Sequence, residues 1–472
     1  MLAENERHTI HIADMGKDGE GIGRIDNFTL FVPGTLPGDF ARVMITKIKK
    51  SYGFAKLIEI IEPSAHRVTP KCPVFGLCGG CTLQGLSYGE QLRLKTKIVR
   101  DNLERIGGFK IEETGECNAG QENLLETADT VKINDILGMD DPFNYRNKVQ
   151  YAVGEKDGKP IIGFYSAHTH DIVDAGDCCI QHPGNRDILD RIKQFIIDQK
   201  ISVYNEKKHT GTVRGVMIRS GYNTGELMVC MIINGDTLPK AKQLVQKLSK
   251  IAGMKCIAVN INKSKTTTIL GKETDILWGE GFITDTVCGI RFKISPQSFF
   301  QVNPLQTELL YQKALAFPAF TGGETVIDAY CGIGTISLFL ARHTKKVYGV
   351  EIVASAVRDA EENAETNRIT NAEFLLGAAE TVIPALYENE RVRADVIVVD
   401  PPRKGCHEKL LQTMLQMEPA AIVYISCDAA TLARDLKFLC RDAYVLKEVH
   451  PVDMFPMSMH VETAVLLEKS VK

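Results

Sequence analysis

The chain has 472 residues, with 56 Lys+Arg against 59 Asp+Glu, 44% hydrophobic and 24% charged residues. That balance excludes a disordered chain, a collagen, a coiled coil and a small disulfide scaffold. No run reaches the roughly 18 apolar residues of a bilayer span, and MLAENERHTI has no apolar signal core. A cytoplasmic, monomeric enzyme of about three domains, with no membrane partner, is expected.

Residues 1–62 read as short strands broken by turns (HTIHIADM, GEGIGRI, FTLFVPG, ARVMITKIKK, AKLIEIIE), the pattern of a small β-barrel. Charge is uneven here: from Arg42 to Arg100 eleven Lys/Arg stand against three Asp/Glu. A basic end on an acidic body points to a polyanionic partner, and Tyr52 and Phe54 within KIKKSYGFAK suit stacking on unpaired bases.

Residues 63–300 form the expected central α+β domain. Ser87 and Glu90 set up a capping box for a helix over 87–106 that stops at Gly107-Gly108. An acidic linker is expected near 111–142. Strand-like runs then alternate with helices near 184–200 and 238–252, the last strand being TTTIL. From Asn303-Pro304, which start another helix, the chain enters a third unit, 301–472. ETVIDAY, KKVYGVEI, AEFLLGA, ADVIVVD and AAIVYISC alternate with helices, implying a parallel, doubly wound sheet; AYVLKEVH and VETAVLLEK follow.

Thirteen cysteines, an odd number, argue for reduced thiols. Cys230, Cys256, Cys288 and Cys440 sit in apolar runs and read as small buried hydrophobes. Cys72, Cys78 and Cys81 in GLCGGC-type spacing, with Cys178-Cys179 distant, suit a four-sulfur site for iron–sulfur or zinc.

Chemistry concentrates at three strand ends. D-x-x-C-G-x-G from Asp328, with Glu351 ending the next strand, offers a close backbone approach and an acid for ribose hydroxyls, yet lacks the third glycine of a dinucleotide cradle. This pattern points to the nucleoside–methionine pocket of S-adenosylmethionine enzymes. Asp400-Pro401-Pro402 closes VIVVD, facing the same crevice. Cys427 follows AIVYI, where a lowered pKa would make a thiolate nucleophile, with Cys331 and Cys406 as rivals.

Taken together, CPVFGLCGGCTLQ, YRNK, SFFQVNP, DAYCGIGT, DPPRKG, YISCDAATLARD and DMFPMSMHVE resemble the RNA uracil-5-methyltransferases, specifically the bacterial 23S rRNA branch with an N-terminal TRAM domain and a [4Fe–4S] cluster. The resemblance implies a Rossmann-like α/β methyltransferase domain behind a TRAM β-barrel and the central domain. It implies cluster ligands Cys72, Cys78, Cys81 and Cys178, and S-adenosylmethionine contacts from Gln301, Tyr330, Glu351 and Asp400. It makes Cys427 the nucleophile and Glu462 the base in methylating carbon 5 of a flipped-out uridine of 23S rRNA, with tRNA as the alternative substrate. A non-catalytic iron–sulfur RNA-binding protein is the alternative of another class.

Overall fold

The computed structural model describes residues 2–112, 130–167, 169–266 and 268–470. Strands β1 (Arg7–Met15), β2 (Gly21–Ile25), β3 (Phe28–Val32), β4 (Phe40–Ile48) and β5 (Tyr52–Glu62) close a barrel in the order β1-β2-β3-β5-β4. Every second residue, including Ile10, Ile12, Val43 and Ile45, fills its interior, as strand alternation dictates. Phe31, Tyr52 and Phe54 form a ring cluster beside the β4–β5 turn, with centroids 5.7–5.8 Å apart.

Much of the basic segment is neutralised locally. Arg42 pairs with Glu59, Arg67 with Asp39, Arg93 with Glu90, Lys95 with Asp453, and Lys97 with Asp14 and Asp101. Among the described residues, Lys47, Lys49, Lys50 and Lys56 of the β4–β5 hairpin, and Lys71, which lies over the Phe143 ring, form no ion pair.

Helix α1 (Tyr88–Asn102) runs into a π-helical turn, Leu103–Gly107, that ends on Gly108 with φ 77°. The capping box does not form: Ser87 makes no side-chain cap bond, its N–H donates to the His66 carbonyl at 2.8 Å, and Arg93 holds the carboxylate of Glu90 in a charge-assisted pair. Val99 and Leu103 pack into the core of the last unit, so α1 rides on that unit. Two short strands, β6 (Lys110–Ile111) and β7 (Thr130–Val131), pair in parallel; the acidic linker lies largely outside the described residues.

The central sheet contains β8 (Lys148–Lys156), β9 (Lys159–Tyr165), β10 (Ile172–Asp174), β11 (Val213–Ser220), β12 (Leu227–Ile233), β13 (Met254–Ile261) and β14 (Glu273–Gly279), ordered β10-β9-β8-β11-β12-β13-β14. Helices α2 (Asn185–Asp198) and α3 (Ala241–Leu248) cover one face through Ile192, Phe195, Leu244 and Leu248. Cys230 and Cys256 are fully buried on the other face, as expected; Cys288 instead sits in a hairpin turn at φ 50°. None of the described residues of TTTIL lies in a strand. Asn262 Nδ2 donates to the carbonyls of Thr268 and Ile269, holding a bend, and the ladder is completed by ETDILWG instead.

The hairpin β15 (Ile283–Val287) and β16 (Ile290–Ile294) packs its Phe292 into the third unit. Helix α4 (Pro304–Ala316) starts as expected, Asn303 Oδ1 accepting from Gln306 N. Strands β17 (Thr325–Ala329), β18 (Lys346–Glu351), β19 (Ala372–Leu376), β20 (Val396–Val399), β21 (Ala421–Ser426), β22 (Tyr444–Val452) and β23 (Glu462–Lys469) take the order β19-β18-β17-β20-β21-β23-β22. The first five are parallel, and β23 inserts antiparallel between β21 and β22. Helices α5 (Thr335–Ala341) and α6 (Ala354–Thr366) lie with α4 on one face; α7 (Ala379–Glu388), α8 (Glu408–Met417) and α9 (Ala429–Leu439) lie on the other. Strand order reverses between β17 and β20, which opens a crevice at their carboxyl ends.

Candidate active site

Register alone gathers most of the expected residues. Ala329 pairs with both Val350 and Val399, so Tyr330 leaves the sheet between Glu351 and Asp400. Ser426 pairs with Thr463, so Cys427 lies next to Glu462 on the neighbouring strand. These five residues share the crevice edge. Gln301 stands on the segment entering α4, buried, and that segment is tied to the crevice wall by Asn303 Nδ2 donating to the Met454 carbonyl at 3.2 Å.

The turn after β17 is strained in a useful way. Tyr330 has φ 68° and Gly334 φ 82°, and a Cβ on Gly334 would stand 3.1 Å from Phe374. The turn carries Gly332, whose N–H donates to Glu351 Oε2 at 3.1 Å, while Glu351 Oε1 accepts from Val353 N at 2.8 Å. Asp328 beneath is fully buried, accepting from Ser337 Oγ at 2.5 Å, and burial pushes its carboxyl up to about 7. Beside Tyr330 opens a cavity of about 700 Å³, lined by Ile352, Ala378, Glu380, Pro402 and Leu411 among others. Ile352 is 67% exposed at its rim, an apolar platform next to a fixed acid.

Cys427 is half-buried at the mouth of α9, where Asp428 caps the helix by accepting from Ala430 N and Thr431 N. Its thiol is pushed up to about 11, first by burial and then by the charges of Glu462 and Asp400, against the pull of Arg403. The condition for a standing thiolate is not met: in the free protein the group is a thiol. Burial also lifts Asp400 to about 7 and raises Glu462 well above the carboxylate range, with Asp400 and Glu462 opposing each other's ionisation. Glu462 Oε2 is buried without a hydrogen-bond partner among the described residues. Arg403 approaches His460 Nε2 at 3.5 Å and partly offsets these charges. The rival thiols are enclosed: Cys331 is 4% and Cys406 6% exposed, each in a different face of the core.

The distant thiols also meet. Cys178 senses Cys81, Cys179 and Cys72 electrostatically, Cys81 senses Cys179, Cys78 and Cys72, and Cys78 senses Cys72. Cys179 Sγ is engaged by Gln84 Nε2 at 3.5 Å. Among the described residues, no three His, Cys, Asp or Glu side chains converge closely enough to hold a metal ion. This thiol region touches the catalytic unit: Thr82 and Leu83 both donate N–H to the Met457 carbonyl at 3.0 Å.

Residues not singled out from sequence complete the surroundings. Asp435, 1% exposed, accepts from Tyr424 Oη at 2.7 Å and Cys406 N at 2.8 Å, fixing the loop after Pro402. An acid inside an otherwise apolar helical stripe (LARDLKFL) was the available signal.

Residues 221–470 match the family described as tRNA (Uracil-5-)-methyltransferase, and residues 3–58 match the TRAM domain. An uncharacterized RNA methyltransferase of Halalkalibacterium halodurans is 48% identical, covering 98% of this chain and 97% of its own. One from Clostridium tetani is 45% identical, covering 99% and 97%. Among solved structures, the tRNA (uracil-54, C5)-methyltransferase of Pyrococcus abyssi in complex with S-adenosyl-L-homocysteine aligns with a TM-score of 0.74 at 29% identity, covering 97% of this chain and 99% of that one. With that reach of match laid over the crevice described above, the chain belongs to the uracil-5-methyltransferase family of RNA-methylating enzymes and carries a TRAM domain ahead of its catalytic unit.

Proposed function

We propose that this enzyme methylates carbon 5 of a uridine in 23S rRNA, with Cys427 as nucleophile and Glu462 as base. The observation that carries the reading is the register of β21 against β23, which sets a half-buried thiol beside a buried carboxylate at the crevice edge. S-adenosylmethionine, when bound, supplies an electrophilic methyl group. Gln301, Tyr330, Glu351 and Asp400 are the residues proposed to hold it. The fit is chemical: an acid with fixed oxygens for ribose hydroxyls, an apolar rim at Ile352 for a base, and a neighbouring cavity of about 700 Å³ to which Tyr330, of these four residues, contributes.

Carbon 5 of uracil is too weak a nucleophile to take a methyl group unaided. Sulfur of Cys427 adds to carbon 6 as its proton passes to Asp400, and the double-bond electrons move toward the oxygen on carbon 4. The resulting enolate carbon 5 captures the methyl group, whose former sulfonium leaves as a neutral thioether. Glu462 then takes the proton from carbon 5, and expulsion of the Cys427 thiolate restores the ring. Asp400 returns its proton to sulfur. The target base has to leave its stack to reach the crevice, at a cost of a few kcal/mol.

Cys72, Cys78, Cys81 and Cys178 are the proposed ligands of a [4Fe–4S] cluster. An all-sulfur donor set on Gly-rich loops supports that group, and Cys179, engaged by Gln84, is the less available of the last two thiols. Such a cluster would cross-link the loops; the methyl transfer needs no electron.

Mapping 5-methyluridine in 23S rRNA and in tRNA, with and without the gene, tests the substrate. Loss confined to 23S rRNA is expected; loss confined to tRNA, the substrate class of the P. abyssi enzyme, selects the alternative.

A further inference from the structure

A second charged cluster lies outside the crevice, where the central sheet meets the catalytic unit. Arg219 on β11 and Lys148 on β8 are directly paired across the ladder, and Arg146 precedes Lys148 by two residues. Arg219 is 2% exposed, and among the described residues its side chain donates from Nη2 to the Ser298 carbonyl alone. Its Nε is buried with no hydrogen-bond partner among the described residues. The Arg146 side chain donates to the Lys148 carbonyl at 3.1 Å, and its backbone N–H donates to the Ile180 carbonyl at 2.9 Å. The charged neighbours acting on Lys148 are the two arginines, which together with burial pull its ammonium down to about 7. Among the described residues, none of the three cations has a carboxylate in ion-pair contact.

Burying a guanidinium without a counter-ion is unfavourable, and crowding two more cations against it compounds the repulsion. A structural role would be served better by an apolar residue or a matched acid. Such a site stabilises when an anion arrives. Its position indicates which anion. Ser298 begins the segment running to Gln301, and Asn147, between two of the cations, donates from Nδ2 to the Gln301 carbonyl at 3.0 Å. Phe299, in the same segment, is 66% exposed. Arg146 also acts electrostatically on His460, two residues before Glu462. The cluster thus spans from the Ser298–Gln301 segment to the segment bearing the base.

We propose that Arg219, Lys148 and Arg146 form a cradle for one backbone phosphodiester of the RNA, adjacent to the nucleotide turned into the crevice. This rests on the proposed function and adds its phosphate anchor. Pulling a base out of its stack leaves the flanking phosphates to be held in place, and a buried, preorganised cation cluster does that with more directional force than a solvated surface lysine. A carboxylate, including that of the methyl donor, presents the same chemistry, so the test separates the two.

The experiment measures binding of the full-length protein to a target-site RNA hairpin across a salt series, alongside calorimetric binding of S-adenosyl-L-homocysteine. Lys148→Gln, at a half-buried site, is the main variant, and Arg146→Gln the second. The cradle predicts a roughly tenfold weaker RNA affinity, a salt slope shallower by about one ion for each variant, and cofactor-product affinity within twofold of wild type. Weakened S-adenosyl-L-homocysteine binding with an unchanged RNA salt slope overturns it in favour of a cofactor carboxylate. No change in either overturns it in favour of a structural cluster. Wild-type protein that places no methyl on carbon 5 would count against the proposed function, whatever the two slopes show.

Discussion

Lys95 and Asp453 form an ion pair in which neither side chain has any solvent exposure. Asp453 also accepts from Tyr88 Oη at 2.9 Å, and Lys95 Nζ donates to the Phe455 carbonyl at 3.0 Å. Through this knot α1 fixes the segment 453–461, which leads directly into Glu462. Lys95→Ala leaves a buried carboxylate uncompensated and is expected to cost about 3–5 kcal/mol in urea unfolding. The matched change of Lys95→Met with Asp453→Leu should recover most of that loss. Equal destabilisation by the single and paired variants contradicts this account.

The pH dependence of methyl transfer follows from the raised carboxyls. Asp400, pushed up to about 7 by burial, accepts a proton only when ionised, and Glu462 shifts in the same direction. Activity is therefore expected to rise with pH from 6 toward 8.5, and to be lost as pH falls through about 7. Iodoacetamide should label Cys427 more slowly at pH 7 than it labels free cysteine, since the thiol lies near 11. A rate already level at pH 5, or rapid alkylation at pH 7, speaks against the assignment.

Replacing Glu462 by Gln keeps its shape and removes the base. RNA carrying the new methyl group is expected to remain covalently joined to Cys427, visible as a slow band on denaturing gels, with turnover down at least 100-fold. Normal release of product from this variant transfers the role elsewhere.

Anaerobically purified protein is expected to be brown and to contain iron and acid-labile sulfide in equal amounts. Cys78→Ser and Cys178→Ser should lose both, whereas Cys179→Ser should keep them. Stoichiometric zinc without iron contradicts the cluster, and iron loss on Cys179→Ser exchanges the fourth ligand.

Strand ends carrying chemistry were legible because polar residues there interrupt apolar runs: Asp328, Glu351, Asp400 and Cys427 each close or follow a buried β-strand. The barrel was legible through its period-two pattern. Features set by tertiary partners were not. Glu90 reads as a capping residue until Arg93 is seen to hold it, and the basic segment reads as a free patch until Asp39, Asp453 and Asp14 arrive from elsewhere in the chain. The direction of the Cys427 shift was equally hidden, since it depends first on burial in the folded crevice and then on Glu462, 35 positions away in sequence but one strand away in space. TTTIL has strand propensity, but the carboxamide of Asn262 takes its carbonyls.

The central claim concerns which atom of the base is alkylated. Nucleoside mass spectrometry of RNA treated with wild-type enzyme and with Cys427→Ala, using a methyl-deuterated donor, addresses it directly. The account predicts deuterated 5-methyluridine from wild type and none from the variant. Label on a ring nitrogen or a ribose oxygen, or undiminished 5-methyluridine from Cys427→Ala, would contradict it.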